Sequence, residues 1–276
     1  MVPVRAGHRL VHSPPVSDDI LVQQDGVVAT VVLNRPAMRN AINLAMWTGI
    51  ARLTEKLGKD DSVWAIVFRG AGTEAFASGA DISEFPASRK DVESAQRYNA
   101  TTAAAYSAVR ECPKPTIAMI YGYCMGGAVG LAMACDLRFA AEGSKFGIPA
   151  ARLSIIYPAE AIAQLVDLVG PAYAKDILYS ARVLDGREAL AIGLIQRLVP
   201  VADLQKTTDD YLAVLADNAP LSLRGSKLTI QSYLAGYTDE SRAHLRAAVR
   251  EATESADYRE GTQAFLEKRR PKFHGR

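Results

Sequence analysis

The first apolar run of the chain, Val27 to Leu33 (VVATVVL), is rich in β-branched residues and is stopped by Asn34-Arg35-Pro36, which predicts a buried strand ending in a turn. Beyond the turn, Ile42, Met46, Ile50, Leu53 and Leu57 recur at steps of four, four, three and four. That spacing predicts an amphipathic helix, with Gly58 standing where a C-cap would. Val63 to Arg69 (VWAIVFR) reads as a second strand entering a glycine-rich loop, Gly70 to Asp81. A helical stretch over roughly Asp91 to Arg110 precedes a strand at Thr116 to Tyr121. After Gly126 and Gly127 comes a short helix carrying Leu131 and Ala132, then a strand-like Leu137 to Ala140. Repeated ββα or βα units of this kind predict an α/β class. From about Val201 onward no strand pattern appears, while Tyr211 to Leu215, Leu221 to Leu234, Ala243 to Val249 and Gln263 to Leu266 have helical spacing. The expected organisation is therefore a flexible leader at 1–17, an α/β core at 18–200 and a helical subdomain at 201–276, with the boundary near Val199-Pro200. The leader carries Arg5, His8, Arg9 and prolines but no apolar run, so it is not read as a secretory signal.

Composition narrows the function. A chain of 276 residues with 49% apolar and 22% charged residues can bury a substantial core. A formal net charge of +2 supplies no basic field, so nucleic acid is not an expected partner. No stretch reaches the roughly 18 uninterrupted apolar residues of a spanning helix, so no membrane association is expected. Cys112, Cys124 and Cys135 are widely spaced without a CxxC pair, which suggests neither disulfides nor zinc and fits a reducing cytoplasm. HExxH, Walker A, GxSxG and dinucleotide GxGxxG patterns are missing, and His8, His12, His244 and His274 all lie in the leader or the helical tail. No metal site is expected.

Two glycine-bearing segments at the ends of predicted strands carry the chemistry: Phe76-Ala77-Ser78-Gly79-Ala80-Asp81-Ile82 and Tyr121-Gly122-Tyr123-Cys124-Met125-Gly126-Gly127-Ala128. The second leads into a helix, whose unpaired amides and positive dipole end favour an anion. Either segment alone reads as a tight turn; together they are suited to form an oxyanion hole.

Their order and flanks resemble the crotonase (enoyl-CoA hydratase/isomerase) superfamily over nearly the whole chain after the leader. The resemblance includes Leu33-Asn34-Arg35-Pro36 followed by Asn40-Ala41-Ile42, AFASGADI from Ala75 to Ile82, and GYCMGGAVGLAMACDLRFA from Gly122 to Ala140. FGIPAARLS (Phe146 to Ser154), Ala189 to Leu194 and FLEKRRPKF (Phe265 to Phe273) continue it. It implies a crotonase-like spiral of ββα units with a C-terminal helical subdomain that assembles homotrimers or dimers of trimers. The implied substrate is a CoA thioester, with no cofactor beyond its CoA moiety, and the backbone amides of Ala80 and Gly127 would hold the thioester oxygen of an enolate. Ser78, Asp81 and Ile82 of the first loop, with Arg39 and Lys268, would meet the CoA moiety; Arg269, Arg270 and Lys272 extend that basic set, for which a solvated tail is the plainer account.

The chain departs from the family at the two hydratase glutamates, whose positions are Gly130 and Ala150. Neither residue can activate water or deliver a proton. Tyr157 and Glu160 are the nearest substitutes. Tyr157 coincides with a tyrosine of the methylmalonyl-CoA decarboxylase branch, although that branch has a histidine where this chain has Ala80. Glu160 could serve as an acid/base group or merely complement a helix start after Pro158. Asp81 is expected to hold the loop backbone, and Asp136 to anchor a turn between helix and strand. Three readings stay open: an enzyme acting through an enolate by proton transfer, isomerisation or decarboxylation; a catalytically silent acyl-CoA binder; and an unrelated α/β enzyme.

Overall fold

The computed structural model describes residues 18–276, so the leader expected at 1–17, with His8 and His12, lies outside the described residues. In chain order the elements are β1 (Ile20–Asp25), β2 (Val28–Leu33), α1 (Leu44–Lys59), β3 (Ala65–Gly70), β4 (Ala75–Ala77), α2 (Phe85–Ser88), α3 (Val92–Glu111), β5 (Thr116–Ile120), β6 (Tyr123–Met125) and α4 (Gly127–Ala134). They continue as β7 (Leu137–Ala141), β8 (Lys145–Gly147), α5 (Ala159–Ser180), β9 (Val183–Asp185), α6 (Gly186–Ala191), β10 (Arg197–Val199), α7 (Leu204–Ala216), α8 (Pro220–Leu234), α9 (Asp239–Glu254) and α10 (Ala256–Leu266).

The α/β class and the spiral follow from how consecutive strands separate. β3 and β4, β5 and β6, and β7 and β8 are each adjacent in sequence, yet the first member of each pair joins one sheet and the second joins another. The larger sheet runs β1-β2-β3-β5-β7-β10, parallel except for the antiparallel β1 edge. The smaller runs β4-β6-β8-β9, with β9 antiparallel. Helices α2 and α3, then α4, then α5 close the three successive turns. Parallel strands covered on both faces read as continuous apolar runs, which is why β2, β3 and β5 were visible in the sequence.

Three local expectations are corrected. β1 precedes the strand expected first; its ILVQQD alternates buried and exposed positions, as an edge strand with one wet face does, and Gly26 turns it into β2. Helix α1 begins at Leu44, capped by the Asn43 side chain on the Met46 amide, while Ile42 is held in a bridge to Ala80. Gly58 is inside α1 and the C-cap is Asp60; a β-carbon at Gly58 would meet Pro113 Cδ at 3.3 Å, so the glycine serves close packing rather than termination.

The main core gathers Trp47, Ile50, Phe68, Phe76, Leu131 and Phe146 between the sheets and α1, α3, α4 and α5. A second cluster, including Val67, Met119, Phe139, Leu204 and Leu212, packs α7 on the opposite face of the larger sheet. Helix α7, the first helix of the tail expected to form a helical subdomain, is thus fastened to the core. Farther along, Lys227 of α8 is buried and donates to Asp136 Oδ2 at 2.8 Å and to the Lys114 carbonyl at 3.0 Å. Asp136 also accepts from the Thr116 amide at 2.8 Å, in the turn between α4 and β7 that its sequence position suggested.

Candidate active site

The loop after β4 is fixed by its own chemistry. The Ile42 amide donates to the Gly79 carbonyl at 2.8 Å, and the Asp81 amide donates to the Ile42 carbonyl at 2.9 Å. In a parallel bridge of this kind the amide of the residue between them, Ala80, points away from Ile42, and it has no protein acceptor among the described residues. Gly79 has φ +103°, and a β-carbon there would lie 2.7 Å from the Met125 carbonyl oxygen and 3.5 Å from the Gly127 nitrogen. Only glycine lets the two loops approach so closely.

Gly127 opens α4, so its amide lacks an intrahelical acceptor. The peptide that carries it is held from behind by Tyr157 Oη, which donates to the Gly126 carbonyl at 3.0 Å; Tyr106 Oη donates to the carbonyl of the next peptide, that of Gly127, at 2.9 Å. In a trans peptide the carbonyl and the following N–H point in opposite directions. The Gly126 carbonyl also accepts from the Val129 amide at 3.0 Å, so Tyr157 and the first turn of α4 together set the direction of the Gly127 amide.

Ala80 and Gly127 line one cavity, together with Ser78, Ile82, Trp47, Tyr98, Tyr106, Tyr157, Ala150 and Arg89. Its wall is aromatic. Trp47 and Tyr106 meet edge to face at 5.5 Å, and Trp47 Nε1 donates to Tyr98 Oη at 3.3 Å. No aspartate or glutamate is among the lining residues. Burial pushes the Tyr106 and Tyr157 phenols up, so both are neutral hydrogen-bonding groups near neutral pH. The position of Gly130, where a carboxylate was missed in the sequence, is crowded: a β-carbon would stand 2.6 Å from Tyr106 Oη and 2.8 Å from Tyr157 Oη.

The remaining sequence candidates divide. Asp81 is buried and accepts from Arg35 Nη1 at 2.8 Å, Ser83 Oγ at 2.6 Å and the Ser83 amide at 3.1 Å. Hydrogen bonds from Ser83, and then from the Arg35 guanidinium, hold its carboxyl below the usual range. It steadies the loop, as expected. Ser78 Oγ donates to the Met38 carbonyl at 3.2 Å, and Ile82 is exposed at the cavity rim. Arg39, in a left-handed conformation, pairs with Glu74 at 2.7 Å over the Tyr123 ring and does not line the cavity. Lys268 is exposed past the end of α10 and likewise does not line it. Glu160 is corrected as a pocket acid: it is exposed in the first turn of α5, outside the lining set, where it complements the helix dipole. His244 and His274 are exposed and also outside the cavity. Sequence reasoning missed Tyr106, Tyr98 and Trp47; the spacing Tyr98, Thr102, Tyr106, four residues apart along α3, was the available signal.

Comparison with known proteins shows the family to which the chain belongs. The family model described as enoyl-CoA hydratase/isomerase matches residues 23–276. A short-chain-enoyl-CoA hydratase of Clostridium acetobutylicum is 29% identical over 92% of this chain and 96% of its own. A crotonyl-CoA hydratase of Syntrophomonas wolfei is 30% identical over 93% of this chain and 98% of its own. Among solved structures, an enoyl-CoA hydratase/carnithine racemase of Magnetospirillum magneticum superposes with a TM-score of 0.89 at 38% identity, covering 94% of this chain and 97% of that one.

Proposed function

Because this chain belongs to the enoyl-CoA hydratase/isomerase family, we propose that it is an acyl-CoA enzyme that stabilises a thioester enolate between the amides of Ala80 and Gly127 without hydratase carboxylates. One observation carries the reading: both residues line a single cavity that contains no aspartate or glutamate. As the α-carbon becomes nucleophilic, negative charge moves to the thioester oxygen, and each preorganised amide donor stabilises it by about 3 to 4 kcal/mol. Water addition to an enoyl bond also needs a group to take the water's proton, and neutral phenols do not supply one. In this reading Ser78 and Ile82 shape the rim for the CoA moiety with Asp81 holding their loop from beneath, Arg39 and Lys268 attract its phosphates, and no other cofactor is required. The apolar residues exposed on α8 to α10, among them Ile230, Leu234, Val249 and Phe265, support assembly into homotrimers or dimers of trimers. The buried thiols of Cys112, Cys124 and Cys135 suit the reducing cytoplasm.

Decarboxylation of a malonyl-type thioester is the second reading, favoured by the absence of a base along the cavity wall. The bond to the carboxylate breaks, carbon dioxide leaves, and the bonding pair becomes the enolate; a solvent proton then adds to the α-carbon. Tyr157 would orient the carboxylate by turning its single O–H from the Gly126 carbonyl to the substrate. Incubation with enoyl-, saturated and malonyl-type CoA thioesters in heavy water tests both readings. Deuterium at the α-carbon without hydration supports an enolate enzyme, and its appearance with loss of carbon dioxide selects the decarboxylase. Tight binding without exchange or turnover on any thioester would leave a silent binder. Hydration of crotonyl-CoA at an ordinary enzymatic rate would defeat the proposal.

A further inference from the structure

Two buried side-chain polar atoms lack a hydrogen-bond partner among the described residues, and they sit on neighbours: Ser88 Oγ and Arg89 Nε. Buried orphan donors are rare in folded proteins and call for a reason. Arg89 lines the cavity just after α2. Its guanidinium carbon lies 4.9 Å from the Phe85 ring centroid and 4.7 Å from that of Tyr98, and Nη2 donates to Asn99 Oδ1 at 2.7 Å. Asn99 is neutral, and among the described residues no carboxylate pairs with Arg89. The acidic groups nearby are otherwise engaged: Asp81 with Arg35 and Ser83, and Glu84 with the Leu44 amide at 2.8 Å. A half-buried cation facing an aromatic wall is stabilised in part by the rings, but among the described residues no carboxylate answers its charge and Nε finds no acceptor.

We infer that Arg89 selects acyl groups that carry a second carboxylate at their far end, that is, CoA monothioesters of dicarboxylic acids. The planar guanidinium fork matches a carboxylate. Its place on the wall fits the acyl chain rather than the CoA phosphates. Tyr98, on which it stacks, meets Trp47 through its hydroxyl, and the Trp47 ring edge lies 3.1 Å from where a Gly127 β-carbon would be. The line Gly127, Trp47, Tyr98, Arg89 thus starts at the expected thioester end and follows the cavity wall. This role for Arg89 rests on the acyl-CoA reading of the cavity.

Calorimetric titration of the full chain with glutaryl- and adipoyl-CoA against butyryl- and hexanoyl-CoA tests it, with Arg89→Gln and Arg89→Lys as variants checked by thermal melting. The wild type should bind the carboxylated thioesters on the order of tenfold more tightly, a preference that fades with added salt. Arg89→Gln should lose that preference while keeping its butyryl-CoA affinity, and Arg89→Lys should retain part of it. A wild type with no preference overturns the assignment, whether or not the variants fold. So does an Arg89→Gln protein that loses affinity equally for every thioester, which would give the arginine to the CoA moiety. Failure of the wild type to bind any CoA thioester would overturn the acyl-CoA reading as well.

Discussion

A β-carbon on Gly130 would stand 2.6 Å from the hydroxyl oxygen of Tyr106. The space beside Gly130 is therefore filled from across the cavity by a phenol of α3. The glycine and the tyrosine belong to one packing solution.

Gly130→Ala is the simplest test of that solution. Replacing a mid-helix glycine by alanine ordinarily gains up to about 1 kcal/mol, but overpacking a rigid aromatic neighbour costs about 1 to 3 kcal/mol. Chemical denaturation should show net destabilisation, and a cycle with Tyr106→Ala should show coupling between the two sites. Additive effects would mean the two residues do not compete for space. For the same reason Gly130→Glu with Ala150→Glu should not yield a hydratase while Tyr106 keeps its ring.

Tyr157→Phe removes the hydrogen bond behind the Gly127 amide. The fold should lose about 1 kcal/mol. Loosening one oxyanion donor, rather than deleting it, should lower the enolate-forming rate by roughly tenfold, with kcat falling more than KM rises. A rate unchanged from wild type would show that the peptide is held without Tyr157.

Alkaline stability follows from the buried phenols. Burial raises the Tyr106 and Tyr157 pKa above the unfolded value of 10.0, so between that pH and their folded values the unfolded chain binds fewer protons than the native one. Their contribution is fully present below pH 10 and is lost as pH rises beyond it. The wild type should accordingly lose stability more steeply than Tyr157→Phe above pH 10, and denaturant midpoints measured across pH 8 to 11.5 check this. Parallel slopes for the two proteins would contradict it.

Lys227→Ala should loosen α8. It breaks the bonds from the buried lysine to Asp136 and to the Lys114 carbonyl, while the exposed Asp136 keeps its bond from the Thr116 amide. Loss of the two hydrogen bonds should cost about 1 to 3 kcal/mol. A melting temperature within a degree or two of wild type would show that α8 is held elsewhere.

The legible parts of the sequence were those where one residue type has one physical reason to be present. Gly79 must be glycine because its φ is +103° and another backbone lies against it, so the loop pattern carried the site. The β-branched runs of β2, β3 and β5 could only be buried strands. Glu160 was not legible, since a carboxylate two residues after a proline looks the same whether it turns inward or merely caps a helix. Ile42 fits the helical stripe of α1 by spacing, but a bridge to Ala80 claims its backbone. Tyr106 and Arg89 were hidden for a different reason: their significance lies in contacts with Gly130, Phe85 and Tyr98 that arise only when the spiral closes.

The central claim is that the amides of Ala80 and Gly127 act together on one thioester carbonyl. Infrared difference spectroscopy of butyryl-CoA labelled with carbon-13 at the thioester carbon, bound to the wild-type protein, addresses it most directly. Two aligned donors should polarise the bond and move its carbonyl stretch to lower frequency than in solution. A bound thioester whose carbonyl absorbs at its solution frequency would contradict the claim.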